Sequence, residues 1–234
     1  MPRNPTPIER EAELAARAGD ATRLREILSK GTAFDTFVYL NAIESGDIET
    51  FQVILDYGGD INYGLGYTGS PLINSLRHNH TALLEFLFAR GVDPNINRWG
   101  HMLGPLGVSC AGKADIKWTK RLLQAGAKVQ GSGALHIAAY RGQLERIKLL
   151  LQYGAGVNEI PEKEILAELG YRKKGTPVHW AIAGASADAV QLLLEQGPDL
   201  DIVDADGISV RDRLKEAKLY NELLEPILSH NQPV

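Results

Sequence analysis

Six glycines recur along this chain, each closing a leucine-rich run: Gly31, Gly58, Gly91, Gly126, Gly154 and Gly197. Their successive spacings are 27, 33, 35, 28 and 43 residues. Periods in this range mark an array of small supersecondary units, none large enough to own a core. The best-preserved pair shows the internal order. Ala134-Leu135-His136-Ile137 opens one unit and Gly154 closes it twenty residues after Ala134; Thr176-Pro177-Val178-His179 opens another, and Gly197 follows Pro177 by the same twenty.

Counting back from each glycine by twenty (twenty-one at Gly126) gives Glu11, Val38, Pro71, Pro105, Ala134 and Pro177 as the expected first residues of six first helices. Three are proline, which suits a first helical position because its missing N–H would be unsatisfied there anyway. Ser70 and Thr176 precede two of them as caps. Eight residues into each unit comes the bend between helices: Gly19, Gly46, Asn79 and Gly142. Asparagine is the next-best tenant of a left-handed backbone, so Asn79 supports the register. Gly112 lies near the position with one extra residue, and Ala185 departs from it. The second helices repeat an apolar stripe, as in Leu24, Ile27, Leu28 or Leu122, Leu123 or Leu149, Leu150, Leu151. Spacings of three and four turn that stripe toward the neighbouring unit.

These residues resemble the ankyrin-repeat family, whose G-x-T-P-L-H opening and L-L-L-x-x-G-A-D-V-N close recur here in degenerate form. Ala134-Leu135-His136-Ile137-Ala138-Ala139 with Gly154-Ala155-Gly156-Val157-Asn158, and Thr176-Pro177-Val178-His179 with Gly197-Pro198-Asp199-Leu200-Asp201, match best. Gly58-Gly59-Asp60-Ile61-Asn62 and Gly91-Val92-Asp93-Pro94-Asn95 match at two further turns. The resemblance implies an all-α solenoid of stacked helix-turn-helix units with short β-hairpin or turn fingers. It covers residues 9–230 as one domain of about seven units, caps included, after an extended or disordered segment over residues 1–8. The short spacings predict abbreviated fingers after Gly31 and Gly126. The longest predicts an inserted finger over residues 159–174, with a short helix from Pro161 to Gly170. Loops carry functional variation, which makes this insertion a candidate for specificity.

Composition narrows the function. The chain has 234 residues, 44% of them apolar, with a net charge of −4 and one cysteine, Cys110. No run is long enough to span a membrane, and the polar start carries no secretory pattern. A lone cysteine fits a reducing compartment, so an intracellular location, cytoplasmic or nuclear, is expected. The acidic balance gives no argument for nucleic acid. His78-Asn79-His80 spells a nuclease motif but falls on a helix–helix bend. Zinc spacings and phosphate loops are missing, and nothing nominates a base for Cys110, so no catalytic residue, metal site or cofactor is assigned. In the family, His136 and His179 stand where the imidazole ties neighbouring turns together.

The resemblance places the concave wall six and seven residues past each first-helix start, at Arg17 and Ala18, Glu44 and Ser45, Arg77 and His78, Tyr140 and Arg141, and Ala183 and Gly184. With Arg98, Trp99 and His101 from one turn and Arg172, Lys173 and Lys174 from the insertion, the groove is more basic than the chain as a whole. The expectation is a monomeric protein-interaction module for an acidic peptide or anionic ligand. Candidate contacts are Arg77, His78, Arg98, Trp99, His101, Tyr140, Arg141, Arg172 and Lys173, with Tyr140 and Trp99 as anchors. The alternative is a small-molecule binder or enzyme whose pocket is walled by Trp99, His101, Cys110, Tyr140, His179 and Trp180.

Overall fold

The computed structural model describes residues 5–33, 35–96, 103–160, 175–219 and 222–223. They fall into two compact blocks, Met1–Trp99 and Gly100–Val234. The first block holds α1 (Pro7–Ala18), α2 (Ala21–Leu28), α3 (Thr36–Ser45), α4 (Ile48–Asp56), α5 (Pro71–His78) and α6 (Thr81–Ala89), with a single 3₁₀ turn at Gly66–Thr68. The second holds α7 (Pro105–Ala111), α8 (Ile116–Gln124), α9 (Ala134–Tyr140), α10 (Leu144–Gln152), α11 (Pro177–Ala183), α12 (Ala187–Leu194) and α13 (Val210–Glu216). No strand occurs among the described residues; the fingers are turns, with one isolated antiparallel bridge between Val203 and Ser209.

Four of the six expected first-helix starts are observed at the anticipated residue. The other two come earlier because a cap upstream had more to offer. At α1, the Thr6 hydroxyl accepts from the Glu9 N–H (3.3 Å) while the Glu9 carboxylate accepts from the Thr6 N–H (2.7 Å), and Pro7 fills the first turn. Residues 7 and 8 are therefore helical, not extended as expected. At α3, the Asp35 carboxylate accepts from the Phe37 N–H at 2.9 Å and starts the helix at Thr36 instead of Val38.

All six closing glycines have positive φ, between 65° and 88°, and a side chain on any of them would meet no atom within 4 Å. They are required for backbone conformation alone. The bends follow the same rule at Gly19, Gly46, Asn79 and Gly142, whereas Gly112 is extended. Ala185 keeps the left-handed turn, at φ 54°, without the residue that suits it. After Gly31 and Gly126 the next helices begin at Thr36 and Ala134, so both fingers are short.

Within each block the helices form two layers. First helices pack side by side (α1 with α3 with α5; α7 with α9 with α11 with α13), and second helices do likewise (α2 with α4 with α6; α8 with α10 with α12). Alanines set the spacing of the first layer: Ala12 and Ala16 on α1, Ala42 on α3, Ala138 and Ala139 on α9 and Ala181 on α11 are all fully buried. Small side chains let axes approach closely. The second layer is knit by larger groups, among them Leu24, Phe51, Ile54, Leu84, Leu122, Ile147, Leu150 and Leu193. In the triple-leucine run only Leu150 is buried; Leu149 and Leu151 are half-exposed.

The tightest contact joins the ends of two first helices. A Cβ on Gly184 would lie 1.9 Å from the Tyr140 carbonyl oxygen, so only glycine fits against that backbone. Gly184→Ala is expected to cost about 3 kcal/mol through overpacking. Ala185→Gly is expected to gain about 1 kcal/mol by relieving the left-handed turn, net of glycine's larger unfolded-state entropy. Urea denaturation of both variants checks the pair; a neutral Gly184→Ala would show that the repeats are not seated on this contact.

Candidate functional site

The expected wall positions lie at the C-terminal ends of first helices, where the helix dipole favours cations. In the first block, Arg77 and His78 form the last turn of α5 and both are exposed. The Arg77 guanidinium donates to the Thr68 carbonyl at 2.7 Å, and the same oxygen accepts from the Asn74 side-chain amide at 2.9 Å. Thr68 in turn donates its hydroxyl to the Leu65 carbonyl at 2.7 Å. The fingertip is thereby fixed, and it carries Tyr67, 75% exposed, one residue before the carbonyl that anchors the guanidinium. Tyr67 escaped the sequence reading; its only local signal is the enclosing Gly66-Tyr67-Thr68-Gly69. His78 stacks on His80 with ring centroids 5.5 Å apart, and burial, then the neighbouring His78, lowers the His80 pKa.

In the second block, Tyr140 ends α9 and Arg141 follows it, exposed. The Tyr140 ring is half-buried and stands edge-on to Trp180 at 6.2 Å, so packing holds its orientation. Gly184, also a wall position, is consumed by the contact under the Tyr140 carbonyl. The structure thus pairs Arg77 with His78 and Tyr140 with Arg141, each within its own block. Arg98, Trp99, His101, Arg172, Lys173 and Lys174 lie outside the described residues, as does residues 161–174 of the expected insertion.

The buried polar groups tie one finger to the next helix pair. The His136 imidazole donates from Nε2 to the Glu159 carbonyl at 2.8 Å, and Glu159 also accepts from the Gly131 N–H at 2.8 Å. The His179 Nε2 donates to the Ile208 carbonyl at 3.2 Å, while its Nδ1 accepts from the Thr176 N–H at 3.1 Å. These contacts fix the neutral Nε2–H tautomer for His179. The first block does the same work with a phenol. The Tyr39 hydroxyl accepts from the Asp60 N–H at 2.6 Å, 21 residues on. Fingers also bond to each other, Asn62 accepting from the Asp93 N–H at 3.0 Å and Asn158 from the Asp199 N–H at 2.8 Å. Asp204 closes the last finger: burial alone would raise its pKa, but Arg213 at 2.8 Å and two backbone N–H groups hold it below the usual range.

Side chains that the sequence offers for chemistry are spent on packing. Cys110 is fully buried against Ser109, and burial pushes its thiol up to about 11. His136, His179 and Trp180 are each at most 5% exposed. Among the described residues no group of three His, Cys, Asp or Glu is placed to hold a metal ion, and no helix is long and apolar enough to cross a membrane.

Against this geometry the comparisons with known proteins are clear on architecture. The profile "Ankyrin repeats (3 copies)" matches residues 106–204. Residues 106–204 carry ankyrin repeats. The human ASB11 ankyrin repeat domain superposes with a TM-score of 0.69 at 18% identity, covering 98% of this chain and 100% of that one, which shows the fold. The mouse palmitoyltransferase ZDHHC13 is 33% identical over 95 residues, 38% of this chain and 14% of the relative. Human protein phosphatase 1 regulatory subunit 27 is 32% identical over 107 residues, 46% of this chain and 62% of the relative. The chain thus spans less than two thirds of the curated relatives it matches. Ankyrin repeats are generally protein-interaction modules.

Burial lowers the His136 pKa to about 4 despite the Glu159 carbonyl, which acts the other way. The folded pKa lies below the unfolded value, so this contribution is complete above the ordinary histidine range and is lost as pH falls through it. Between about pH 7.5 and about pH 5 the chain should lose about 2 kcal/mol from this residue. His136→Gln, which can still donate to Glu159, should lessen that dependence in urea titrations; an equal slope in variant and parent would contradict it.

Proposed function

We propose that the chain binds a partner protein through the ends of its first helices and the adjoining finger turns, taking an acidic peptide segment or other anionic group. The carrying observation is a positioned cation on a fingertip that also carries an exposed aromatic: Arg77 is fixed on the Thr68 carbonyl at 2.7 Å, and Tyr67 is the residue before Thr68. A guanidinium held by the backbone has already lost much of its side-chain freedom, which reduces the cost of binding. Tyrosine and arginine are the residue types that dominate interface energetics. At the end of α9 an exposed Arg141 follows the half-buried Tyr140, a second cation next to an aromatic. The likeness to a phosphatase regulatory subunit agrees with a binding role; Arg98, Trp99, His101, Arg172 and Lys173 are further contacts proposed from the sequence alone. The reading assigns no cofactor and treats the chain as a monomer.

Selection of a random peptide library on the intact protein should enrich Asp and Glu. Arg77→Glu and Arg141→Glu should each weaken the selected peptides by about tenfold by calorimetry, and Tyr67→Ala should do the same. Unchanged affinities in all three variants would refute this site.

A further inference from the structure

The second-helix layer of the second block holds a feature that the site above does not use. Residues 116–153 contain seven lysines and arginines against one carboxylate, Glu145, in a chain whose net charge is −4. Three of these cations converge. Lys117 and Lys120 from α8 and Lys148 from α10 rim a cavity of about 520 Å³ between the two helices. Ile116, Leu149 and Tyr153 line it as well, Ile116 38% and Tyr153 44% exposed, with Glu145 and Gln152 completing the lining.

Within the second block the charge belongs to α8 and α10 and not to every second helix. The next second helix of the same block, α12, carries Asp188, is followed by Glu195 and has no lysine or arginine, and α4 carries Glu49 and Asp56 with none either; only α2 is also basic, with Arg23 and Arg25. The rim is also accessible. Lys148 pairs with Glu145 at 3.1 Å, but both are more than half exposed, and such pairs contribute little and exchange readily. The Lys117 ammonium lies over the Trp118 ring at 4.5 Å.

We propose that this groove docks an acidic amphipathic helix of a partner protein, its apolar stripe on Ile116, Leu149 and Tyr153 and its carboxylates on Lys117, Lys120 and Lys148. Two helices side by side leave a furrow that accepts a third by ridge-into-groove packing. A nucleic-acid backbone would use the lysines but gain nothing from the apolar side chains. A membrane surface would need the apolar groups to protrude, whereas here they line a concavity. The surface shares no residue with Arg77, Tyr67 or Arg141, so it stands whether or not that site binds its own ligand.

The test uses the intact chain and a synthetic glutamate-rich helical peptide with leucines at i, i+3, i+4 and i+7, beside an isomer with the leucines dispersed. Fluorescence anisotropy should show the amphipathic peptide binding at least about tenfold more tightly than its isomer. Lys120→Glu with Lys148→Glu, both exposed, should abolish most of that affinity, Leu149→Ser should reduce it, and Arg77→Glu with Arg141→Glu should leave it intact. Backbone NMR shifts should centre on α8 and α10. Equal binding of the two peptides, indifference to the lysine reversals, or tighter capture of duplex DNA or phosphatidylglycerol vesicles by the same lysines would overturn the proposal.

Discussion

A helix pair of seven to twelve residues per arm cannot cover its own apolar stripe, and every other feature of this chain follows from that shortage. Folding is favourable only when the next pair lies alongside, so neighbours must approach closely and at a fixed height. Close approach is met by alanine in the first-helix layer and, at its extreme, by Gly184 under the Tyr140 carbonyl. Height is met by polar ties that reach from one finger to the next, Asn62 to Asp93 and Asn158 to Asp199, at hydrogen-bond length. The imidazoles of His136 and His179, buried and bonded to the Glu159 and Ile208 carbonyls, add a penalty for slip, since a buried polar group left without its partner is costly.

Much of this was legible before any coordinate. The six closing glycines each reserve a conformation that other residues resist, so their spacing reports chain geometry directly, and Asn79 fits the same logic at a bend. His136 and His179 stood out because the repeat placed them at one position, and both indeed reach the following turn. What stayed hidden depends on partners far away in sequence. Gly184 looks like any surface glycine until Tyr140 is beside it, and Tyr39 gives no sign that its hydroxyl replaces the histidine. The starts of α1 and α3 were missed because Thr6 and Asp35 lie outside the repeat pattern from which the register was counted. Ala185 had no explanation from sequence, and the structure shows a left-handed alanine retained at a bend.

The candidate surfaces divide along the same line. Arg77 and Arg141 were found by register, whereas Tyr67 was not, because a fingertip's exposure depends on how Arg77 and Asn74 fold the turn back. The lysines of α8 and α10 are visible as a charge cluster in the sequence. That they face one furrow requires knowing that helices almost thirty residues apart are neighbours. The two faces differ in construction: one offers rigid, singly placed groups at helix ends, the other a shallow trough with mobile charges around apolar side chains.

The choice of Tyr39 in one block and of histidines in the other has a physiological edge. Burial moves the phenol up to about 12, far from any pH a cell reaches, while it moves the His136 imidazole into the acid range. Finger ties among residues 1–99 are thus blind to mild acid, whereas those among residues 100–234 include groups that protons can unseat. The two blocks therefore differ in acid response according to whether a phenol or an imidazole ties the finger to the helix.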